Sequence, residues 1–200
     1  AMGEFLLLGR DKKALEILRL SAQYKIKKNL EKKYQNEINE FQSTYTDDVL
    51  HDVSNKVWVC WFQGLNNAPD IVKKCYKSLK ENLTDREIIV ITSDNVSDYV
   101  KFPKFILDKW KSGQITHTHM TDLLRLELLI KYGGMWIDAT VLCTSNRREI
   151  PDYFFNSDLF LYQTLKPGRD GQSQPISSWL ISAKTNNKIL MMTRYLCYEY

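Results

Sequence analysis

The sequence predicts an α/β fold, in which a basic helical segment precedes one sheet-containing domain. Its 200 residues are enough for such a domain to bury a core, and 44% hydrophobic with 26% charged residues is ordinary for a globular protein. After residue 54, short apolar runs typical of strands alternate with segments of helical periodicity. This alternation predicts a mostly parallel sheet covered by helices. We therefore divide the chain into a helical segment, 1–53, and an α/β domain, 54–200.

The first segment is predicted to form one long amphipathic helix over residues 12–41. Apolar residues recur there at steps of three and four: Leu15, Leu18, Ala22, Ile26, Leu30, Tyr34, Ile38 and Phe41. Residues 10–36 carry nine Lys or Arg against three acids, whereas residues 37–52 carry five acids and no Lys or Arg. Two interpretations stay open. Either the apolar stripe packs on the following domain or a partner helix, or the basic residues attach the chain to an anionic membrane surface.

The α/β domain is predicted to start at residues 54–55 and to contain five strands. The predicted strands are 57–62, 87–92, 135–143, 159–164 and 178–183, and the predicted helices are 69–83, 105–111, 119–132 and one that begins at 187. Glycine and proline punctuate the polar loop 166–175, and no apolar residue anchors it. We expect this loop to be mobile.

Residues 121–140, TDLLRLELLIKYGGMWIDAT, form a junction between a helix and a strand. Leu123, Leu126 and Ile130 recur at helical spacing, and Gly133 is suited to end the helix because glycine tolerates a left-handed conformation. Residues 135–137 then read as a short buried strand. The next residue, Asp138, is therefore expected at the carboxyl end of that strand.

Three charged residues of this stretch are predicted to face one crevice. Asp122 and Arg125 lie one turn apart on a helix that is otherwise largely apolar. A surface ion pair between them would contribute only a few tenths of a kcal/mol, but charges on a buried helix need a partner, and a ligand can be that partner. Ligands of open α/β sheets bind outside the carboxyl ends of the strands, where Asp138 is expected.

The order of these motifs resembles the capsular-polysaccharide-synthesis glycosyltransferases, which are related to α-mannosyltransferases and toxin glucosyltransferases with a "DxD" motif. The matching residues are T-D-x-x-R at 121–125, GG-x-W-x-D-x-T at 133–140, the first-strand turn Trp61-Phe62-Gln63-Gly64 and the following Pro69. The resemblance starts near Val57 and covers about two thirds of the chain. Several spaced matches in the right order are far more specific than an isolated Asp-x-Asp.

The resemblance implies a GT-A-like, Rossmann-type fold and a metal-dependent, retaining glycosyltransferase. Its donor would be a nucleotide diphosphate sugar, with a UDP-sugar favoured, and a hexose would pass to a growing capsular or cell-surface polysaccharide. The acceptor would be a glycan or a lipid-linked glycan. Two alternatives stay open: an inactive nucleotide-sugar-binding scaffold, and a nucleotidyl- or phosphotransferase. The latter would need clustered acids or a glycine-rich phosphate loop, and the sequence has neither.

By the same resemblance, Asp122, Arg125 and Asp138 are the catalytic residues. Asp122 would hydrogen-bond hydroxyls of the donor sugar or ribose, and Arg125 would contact the sugar or phosphates. Asp138 and Thr140 would hold Mn²⁺ or Mg²⁺, with Thr140 standing where the wider pattern has a second aspartate. One carboxylate and a hydroxyl leave most of the coordination to diphosphate and water, which these ions accept. Alternatively, Asp138 only caps its strand.

The donor nucleotide is expected to contact the first strand turn and the helix-to-strand junction. Trp61 matches the family position whose ring stacks on the base, although core packing is the alternative. The complete set of predicted donor-binding residues is Trp61, Phe62, Gly64, Asp122, Arg125, Gly134, Trp136 and Asp138. Glycine at positions 64 and 134 would permit close approach of the backbone to the ligand.

Two further polar motifs have competing interpretations. His117 and His119 could bind a transition metal if the segment were extended, but the favoured role for His119 is a contact at the helix N-terminus, with Thr118 or Thr121 as the cap. The turn 93–95, Ser-Asp-Asn, resembles the family's loop beside the nucleotide and is equally compatible with a plain turn.

Composition predicts a cytoplasmic protein that does not bind nucleic acid. The formal net charge of +4 is too small to indicate a nucleic-acid partner. The four cysteines, Cys60, Cys75, Cys143 and Cys197, lack metal or redox spacing and are expected to be reduced, with Cys60 and Cys143 in buried strands. No apolar stretch reaches the roughly 18–20 residues that span a bilayer, so membrane contact would be peripheral, at the inner face.

Both ends of the sequence carry an expectation. Residues 1–3 resemble a remnant of cloning and are left out of the structural reasoning. Residue 200 falls inside a predicted helix, and relatives of this type continue further, so we expect a C-terminal portion to be missing.

Overall fold

The computed structural model describes residues 12–46, 52–163 and 176–199. The predicted mobile loop, 166–175, lies outside these residues. The described residues divide into two compact units, one comprising residues 12–45, 162–163 and 176–177 and the other residues 46, 52–161 and 178–199. The second unit contains the sheet.

The N-terminal helix is kinked rather than continuous. Helix α1 spans Lys12–Lys33 and helix α2 spans Gln35–Thr44, and Tyr34 between them has φ −108° and ψ 22°. The hydrogen bonds from the Tyr34 amide to the Leu30 carbonyl and from the Ile38 amide to the Tyr34 carbonyl, both 2.9 Å, continue across the kink. The single helix predicted over residues 12–41 is therefore observed as two helices that are separated at Tyr34.

The apolar residues of helix α1 do not form the single buried face that was predicted. Ile26 and Leu30 of the predicted stripe are exposed, and so are Ile17, Leu20 and Tyr24. Ile17 and Ile26 point in directions about 180° apart, because each residue turns the helix by about 100°. Exposed apolar side chains thus lie on two opposite sides of this helix, between lysines.

The sheet has five strands in the order β2–β1–β3–β5–β4. They span Lys56–Cys60 (β1), Glu87–Ile91 (β2), Gly134–Ile137 (β3), Leu159–Leu161 (β4) and Leu180–Ala183 (β5). Strand β1 pairs in parallel with β2 and β3, whereas β5 pairs antiparallel with β3 and β4. The expectation of a mostly parallel sheet was wrong for β5 alone, which runs opposite to both of its neighbours, β3 and β4.

The predicted helices of the sheet-containing unit are confirmed with small shifts of their ends. All helices described in this unit span Asp70–Asn82 (α3), Val96–Tyr99 (α4), Lys104–Lys111 (α5), His117–Tyr132 (α6), Tyr153–Asn156 (α7) and Lys188–Glu199 (α8), with 3₁₀ turns at Leu65–Asn67 and Arg147–Glu149. Helices α4 and α7 were not predicted, since four residues are too few to show a helical period. The predicted strand 135–143 ends at Ile137, where the Val141 amide donates to the Asp138 carbonyl (3.0 Å) and closes a turn.

Helix α6 and the central strands form the core that supports the site. Trp58 of β1 and Trp136 of β3 are register partners and are 0% and 2% exposed. The Trp58 indole donates to the carbonyl of Gly133 (2.9 Å), which ends helix α6 with φ 63° as predicted. Gly134 has φ 92°, and a Cβ there would lie 2.3 Å from the Lys56 carbonyl oxygen. Only glycine lets β3 approach β1 so closely.

Candidate active site

The carboxyl end of the parallel strands brings together the predicted residues that belong to different parts of the chain. Trp61 follows β1, and Asp138 follows β3, which runs parallel to β1. Because β5 runs antiparallel, its first residues lie at the same edge, and the Asp138 amide donates to the Trp179 carbonyl at 2.9 Å. The predicted position of Asp138 at this edge is confirmed.

Helix α6 begins at this edge and carries the two other charged residues. Its N-cap is Thr116, whose hydroxyl oxygen accepts from the His119 amide at 3.3 Å and lies 3.2 Å from the His119 Nδ1. The prediction that Thr118 or Thr121 is the cap was therefore wrong by a few residues, because the helix starts at His117. The expected helix-terminus role of His119 is confirmed.

Arg125 is at the centre of the cluster. Only 5% of the residue is exposed, and its guanidinium lies 3.0 Å from Asp122 and 3.6 Å from Asp138. It also donates to the main-chain carbonyls of Thr121 (3.3 Å) and Ser178. A buried cation needs such partners, and bonds to carboxylates are the strongest available. The predicted intrahelical ion pair with Asp122 exists, as one part of a wider network.

The Arg125 guanidinium is thus already bonded to protein groups and ties three segments together. These are helix α6, the end of β3 and the residue that leads towards β5. Its guanidinium also lies over the Trp136 ring, 5.0 Å from the ring centre. The acceptor on Ser178 is its main-chain carbonyl and not its hydroxyl. No sequence pattern predicts a contact with a main-chain acceptor of this kind.

Asp138 presents a partly exposed carboxylate. Its side chain is 37% exposed, and Oδ1 accepts a hydrogen bond from the Trp136 indole at 2.8 Å. Thr140, two residues further, is exposed. Among the described residues no group of three or more His, Cys, Asp or Glu could hold a metal ion, and this includes His117 and His119. The donor set fits a divalent cation that takes most of its ligands from diphosphate and water.

The predicted donor-binding residues separate into exposed and supporting positions. Trp61 is partly exposed, and its indole nitrogen is buried without a hydrogen-bond partner among the described residues. Gly64 has φ 76° and open space where a Cβ would stand. These two remain available to a ligand.

Phe62, Gly134 and Trp136, which were also predicted to contact the donor, occupy packing positions in this structure. Phe62 is 8% exposed, and its ring packs 5.3 Å from Trp110 and 5.6 Å from His117. Trp136 is almost fully buried, and the space beside Gly134 is occupied by the Lys56 carbonyl. Their aromatic or glycine identity is explained by packing against the protein itself.

Two further features of this edge are now defined. Asn95 accepts from the Thr92 amide (2.8 Å) and donates to the Val90 carbonyl (2.9 Å), which favours the plain-turn interpretation of residues 93–95. Burial raises the pKa of the Cys60 thiol to about 12, against a smaller lowering by Arg125. Cys60 is therefore a neutral packing residue close to the charged cluster and not a nucleophile.

The other cysteines are also unpaired in the described part of the chain. Cys75 is buried, as expected of a packing residue, but Cys143 lies in the loop after β3 and not in a strand. Among the described residues, no helix has the length and apolar character required to cross a membrane.

Comparison with known families agrees with this arrangement. A family model described as "Capsular polysaccharide synthesis protein" matches residues 10–200. The chain belongs to this family. The resemblance inferred from residues 57–140 is thereby confirmed and extends over nearly the whole chain.

Curated relatives of this chain are named as glycosyltransferases. The O-glycosyltransferase PaGT of Phomopsis amygdali is 24% identical over 148 residues, 66% of this chain and 36% of its own length. The O-glycosyltransferase braB of Annulohypoxylon truncatum is 34% identical over 94 residues, 42% of this chain and 22% of its own length. The chain therefore spans about a quarter to a third of these relatives.

A solved structure supports the predicted fold. The PaToxG glycosyltransferase aligns with a TM-score of 0.50 and 14% identity, over 89% of this chain and 72% of that chain. At this identity the similarity concerns the fold alone. It confirms the predicted α/β fold of the glycosyltransferase type.

Proposed function

We propose that this protein is a glycosyltransferase that transfers a hexose from a nucleotide diphosphate sugar to a hydroxyl of a glycan. The observation that carries the proposal is the pair of aspartates, Asp122 and Asp138, which Arg125 holds together at the carboxyl edge of the sheet. Ligands of open α/β sheets bind at this edge. The family membership and the glycosyltransferase names of the relatives support the same reaction class.

Each residue has a role that follows from its position. The partly exposed ring of Trp61 would stack on the nucleotide base, and Gly64 would let the backbone approach the donor. The Asp122 carboxylate would accept hydrogen bonds from hydroxyls of the sugar or ribose. Asp138, with Thr140, would hold Mn²⁺ or Mg²⁺ against the diphosphate. A cation bound there would stabilise the negative charge that develops on the leaving diphosphate.

Several finer features belong to the proposal. We infer a UDP-sugar donor, a retaining reaction and an acceptor that is a growing capsular or cell-surface polysaccharide, free or lipid-linked. Retention without an enzyme nucleophile would proceed by attack on the face that the diphosphate leaves. The buried, neutral Cys60 thiol is consistent with the absence of a thiol nucleophile at this edge. The complete reaction is a proposal, because this chain spans only about a quarter to a third of the length of the curated relatives.

We also propose a cytoplasmic location with peripheral contact to an anionic membrane through helix α1. The many lysines of this helix support the contact. Its exposed apolar side chains do not form one face, since Ile17 and Ile26 point in opposite directions. Attachment would therefore depend mainly on charge and weaken as salt concentration rises.

Thermal unfolding with a panel of nucleotide sugars, with and without Mn²⁺, tests the proposed function. A ligand that binds only the folded state raises the unfolding temperature. We expect a rise with one donor that requires Mn²⁺ in the wild type and is lost in Asp138→Asn. Glu81→Gln is the matched control, because Glu81 is an exposed acid on helix α3 that pairs only loosely with Lys77 at 3.5 Å.

The outcomes separate the alternatives. A rise without Mn²⁺ and without release of the sugar would support a nucleotide-sugar-binding scaffold, an alternative favoured by the single carboxylate at residues 138–140. No rise with any donor would contradict both the enzyme and the scaffold for this chain.

A further inference from the structure

Two buried tryptophans occupy equivalent positions in neighbouring strands but have different hydrogen-bond acceptors. Trp58 and Trp136 are register partners, and each indole nitrogen donates one short hydrogen bond. The acceptor for Trp58 is the main-chain carbonyl of Gly133 (2.9 Å), which is already fixed by the end of a helix. The acceptor for Trp136 is Oδ1 of Asp138 (2.8 Å), a partly exposed carboxylate that could otherwise rotate.

The hydrogen bond from Trp136 distinguishes the two oxygens of Asp138. Both side-chain contacts that Asp138 makes with described residues fall on Oδ1, one from the indole and one from Arg125 at 3.6 Å. A hydrogen bond to an ionised acceptor is stronger than a neutral one, and a buried donor left without a partner is costly. Both effects favour the rotamer in which Oδ1 faces the indole, and Oδ2 is the oxygen left for a ligand.

The ring of Trp136 also supports Arg125. The guanidinium lies 5.0 Å from the ring centre and bonds to Asp122 and to the Ser178 carbonyl. An arginine over an indole face gains a cation–π attraction that strengthens where water is excluded. Trp136 therefore acts on Asp138 directly and on Asp122 through Arg125.

We propose that Trp136 is a positioning residue, whose indole N–H fixes Asp138 so that Oδ2 is presented to a divalent cation bound to the donor diphosphate. This inference rests on the proposed function. It replaces the sequence-based expectation that Trp136 contacts the nucleotide, because a side chain that is 2% exposed has almost no surface for a ligand.

Trp136→Phe and Trp58→Phe form a matched pair of variants. Each removes one buried indole N–H and keeps an aromatic ring, so both should lower the unfolding temperature. The readout is the Mn²⁺ concentration that half-saturates UDP-dependent binding, measured by electron paramagnetic resonance of free Mn²⁺. Loss of a group that orients a metal ligand weakens metal binding about 10- to 100-fold. We expect at least about a tenfold increase for Trp136→Phe and less than about twofold for Trp58→Phe.

The hydrogen bond itself is measured without metal or nucleotide. The five tryptophans give indole N–H signals in a nitrogen–proton correlation spectrum, and Trp136→Phe and Trp58→Phe assign two of them. In Asp138→Ala, the Trp136 signal should move and exchange faster with water, while the Trp58 signal stays in place.

Equal effects of Trp136→Phe and Trp58→Phe on Mn²⁺ binding would overturn the positioning role while leaving the proposed function intact. An unmoved Trp136 signal in Asp138→Ala would overturn it as well. If the wild type itself showed no Mn²⁺-dependent binding of UDP or a UDP-sugar, the proposed function would fail and the role of Trp136 with it.

Discussion

Arg125 and Arg147 lie at opposite ends of the sheet strands and make nearly the same kinds of contact. Arg125 lies over the Trp136 ring, contacts two aspartates and donates to the Ser178 carbonyl. Arg147 lies 4.3 Å from the centre of the Phe155 ring, contacts two aspartates and donates to the Ile150 carbonyl. Each arginine thus joins segments that are distant in sequence.

The two clusters differ in burial and in the end of the strands that they occupy. The Arg147 side chain is 19% exposed, and its partners Asp85 and Asp152 are 45% and 76% exposed at 2.9 and 2.6 Å. The hydrogen bond to Asp152 raises the pKa of the Arg147 guanidinium. Asp85 precedes β2 and marks the amino end of the strands, whereas Asp138 follows β3 at the carboxyl end.

This difference shows that an arginine bridging two acids does not by itself indicate a function. Both clusters could be explained as ion pairs that stabilise loops. Only the cluster at the carboxyl end lies where sheets of this type bind ligands, beside an available aromatic ring and an open glycine. The substitutions below compare equivalent positions of the two ends.

Replacing one aspartate at each end should give the largest difference, in catalysis. Asp138→Asn keeps the size of the side chain but removes the charge that would hold the cation and the diphosphate. Losing one such electrostatic contact lowers kcat by about 100- to 1,000-fold. Asp152→Asn, at the exposed end, should change kcat by less than about twofold. Sugar release and transfer from the donor found by thermal unfolding provide the measurement.

Comparable losses in both variants, with their circular dichroism spectra unchanged, would place the chemistry away from the carboxyl edge. A loss confined to Asp138→Asn would assign the function to one of two similar clusters.

Replacing the arginines by lysine should give the next largest difference, in stability. Lysine keeps the charge but lacks the planar group that serves two carboxylates and stacks on a ring. At the buried position, Arg125→Lys leaves partners unsatisfied, and we expect a loss of about 3 kcal/mol in the free energy of unfolding. Arg147→Lys breaks ion pairs with exposed acids and should cost about 1 kcal/mol or less. Urea titration followed by tryptophan fluorescence measures both.

Equal costs would mean that Arg125 is less buried in solution than its 5% exposure indicates. The Arg125→Lys variant should also lose Mn²⁺-dependent donor binding, while Arg147→Lys keeps it.

The same contrast explains how much could be predicted from the sequence. Residues 121–140 predicted the helix, its end at Gly133, and Asp138 at a strand end, because periodicity and glycine chemistry are local. The roles of Trp136 and Gly134 could not be predicted, since they depend on what neighbouring strands place beside them. For Gly134 that neighbour is the Lys56 carbonyl, and for Trp136 it is Asp138 and Arg125.

The direction of strand β5 and the second arginine cluster also escaped prediction. Strand β5 carries a short apolar run that fits a parallel or an antiparallel neighbour equally well, and its pairing with β3 is decided by long-range packing. The Arg147 cluster joins residues more than 60 positions apart, and no local spacing reveals such a contact.

The smallest expected difference concerns two thiols, one near each cluster. Cys60 ends β1 beside Arg125 and Asp138, and burial raises the pKa of its thiol to about 12. Cys143 is half-buried in the loop after β3, where its amide donates to the Ser78 hydroxyl oxygen at 2.9 Å, and burial raises the pKa of its thiol as well. The thiolate is the reactive form, so a raised pKa lowers the reactive fraction at a given pH.

We therefore expect iodoacetamide at pH 8 to modify Cys143 at least about tenfold faster than Cys60, as measured by mass spectrometry of the peptides. A raised pKa means that Cys60 stays protonated well above the ordinary pKa of 9.0, so its rate should rise about tenfold for each pH unit up to about 12. Trp136→Phe should accelerate Cys60 and leave Cys143 unchanged, because the carboxyl edge loosens while the other end does not. If Cys60 instead reacted as fast as Cys143 in the wild type, the buried end of β1 at the carboxyl edge would be accessible to solvent. Arg125 and Trp136 would then not be buried as the structure shows, and they could not support the two aspartates rigidly.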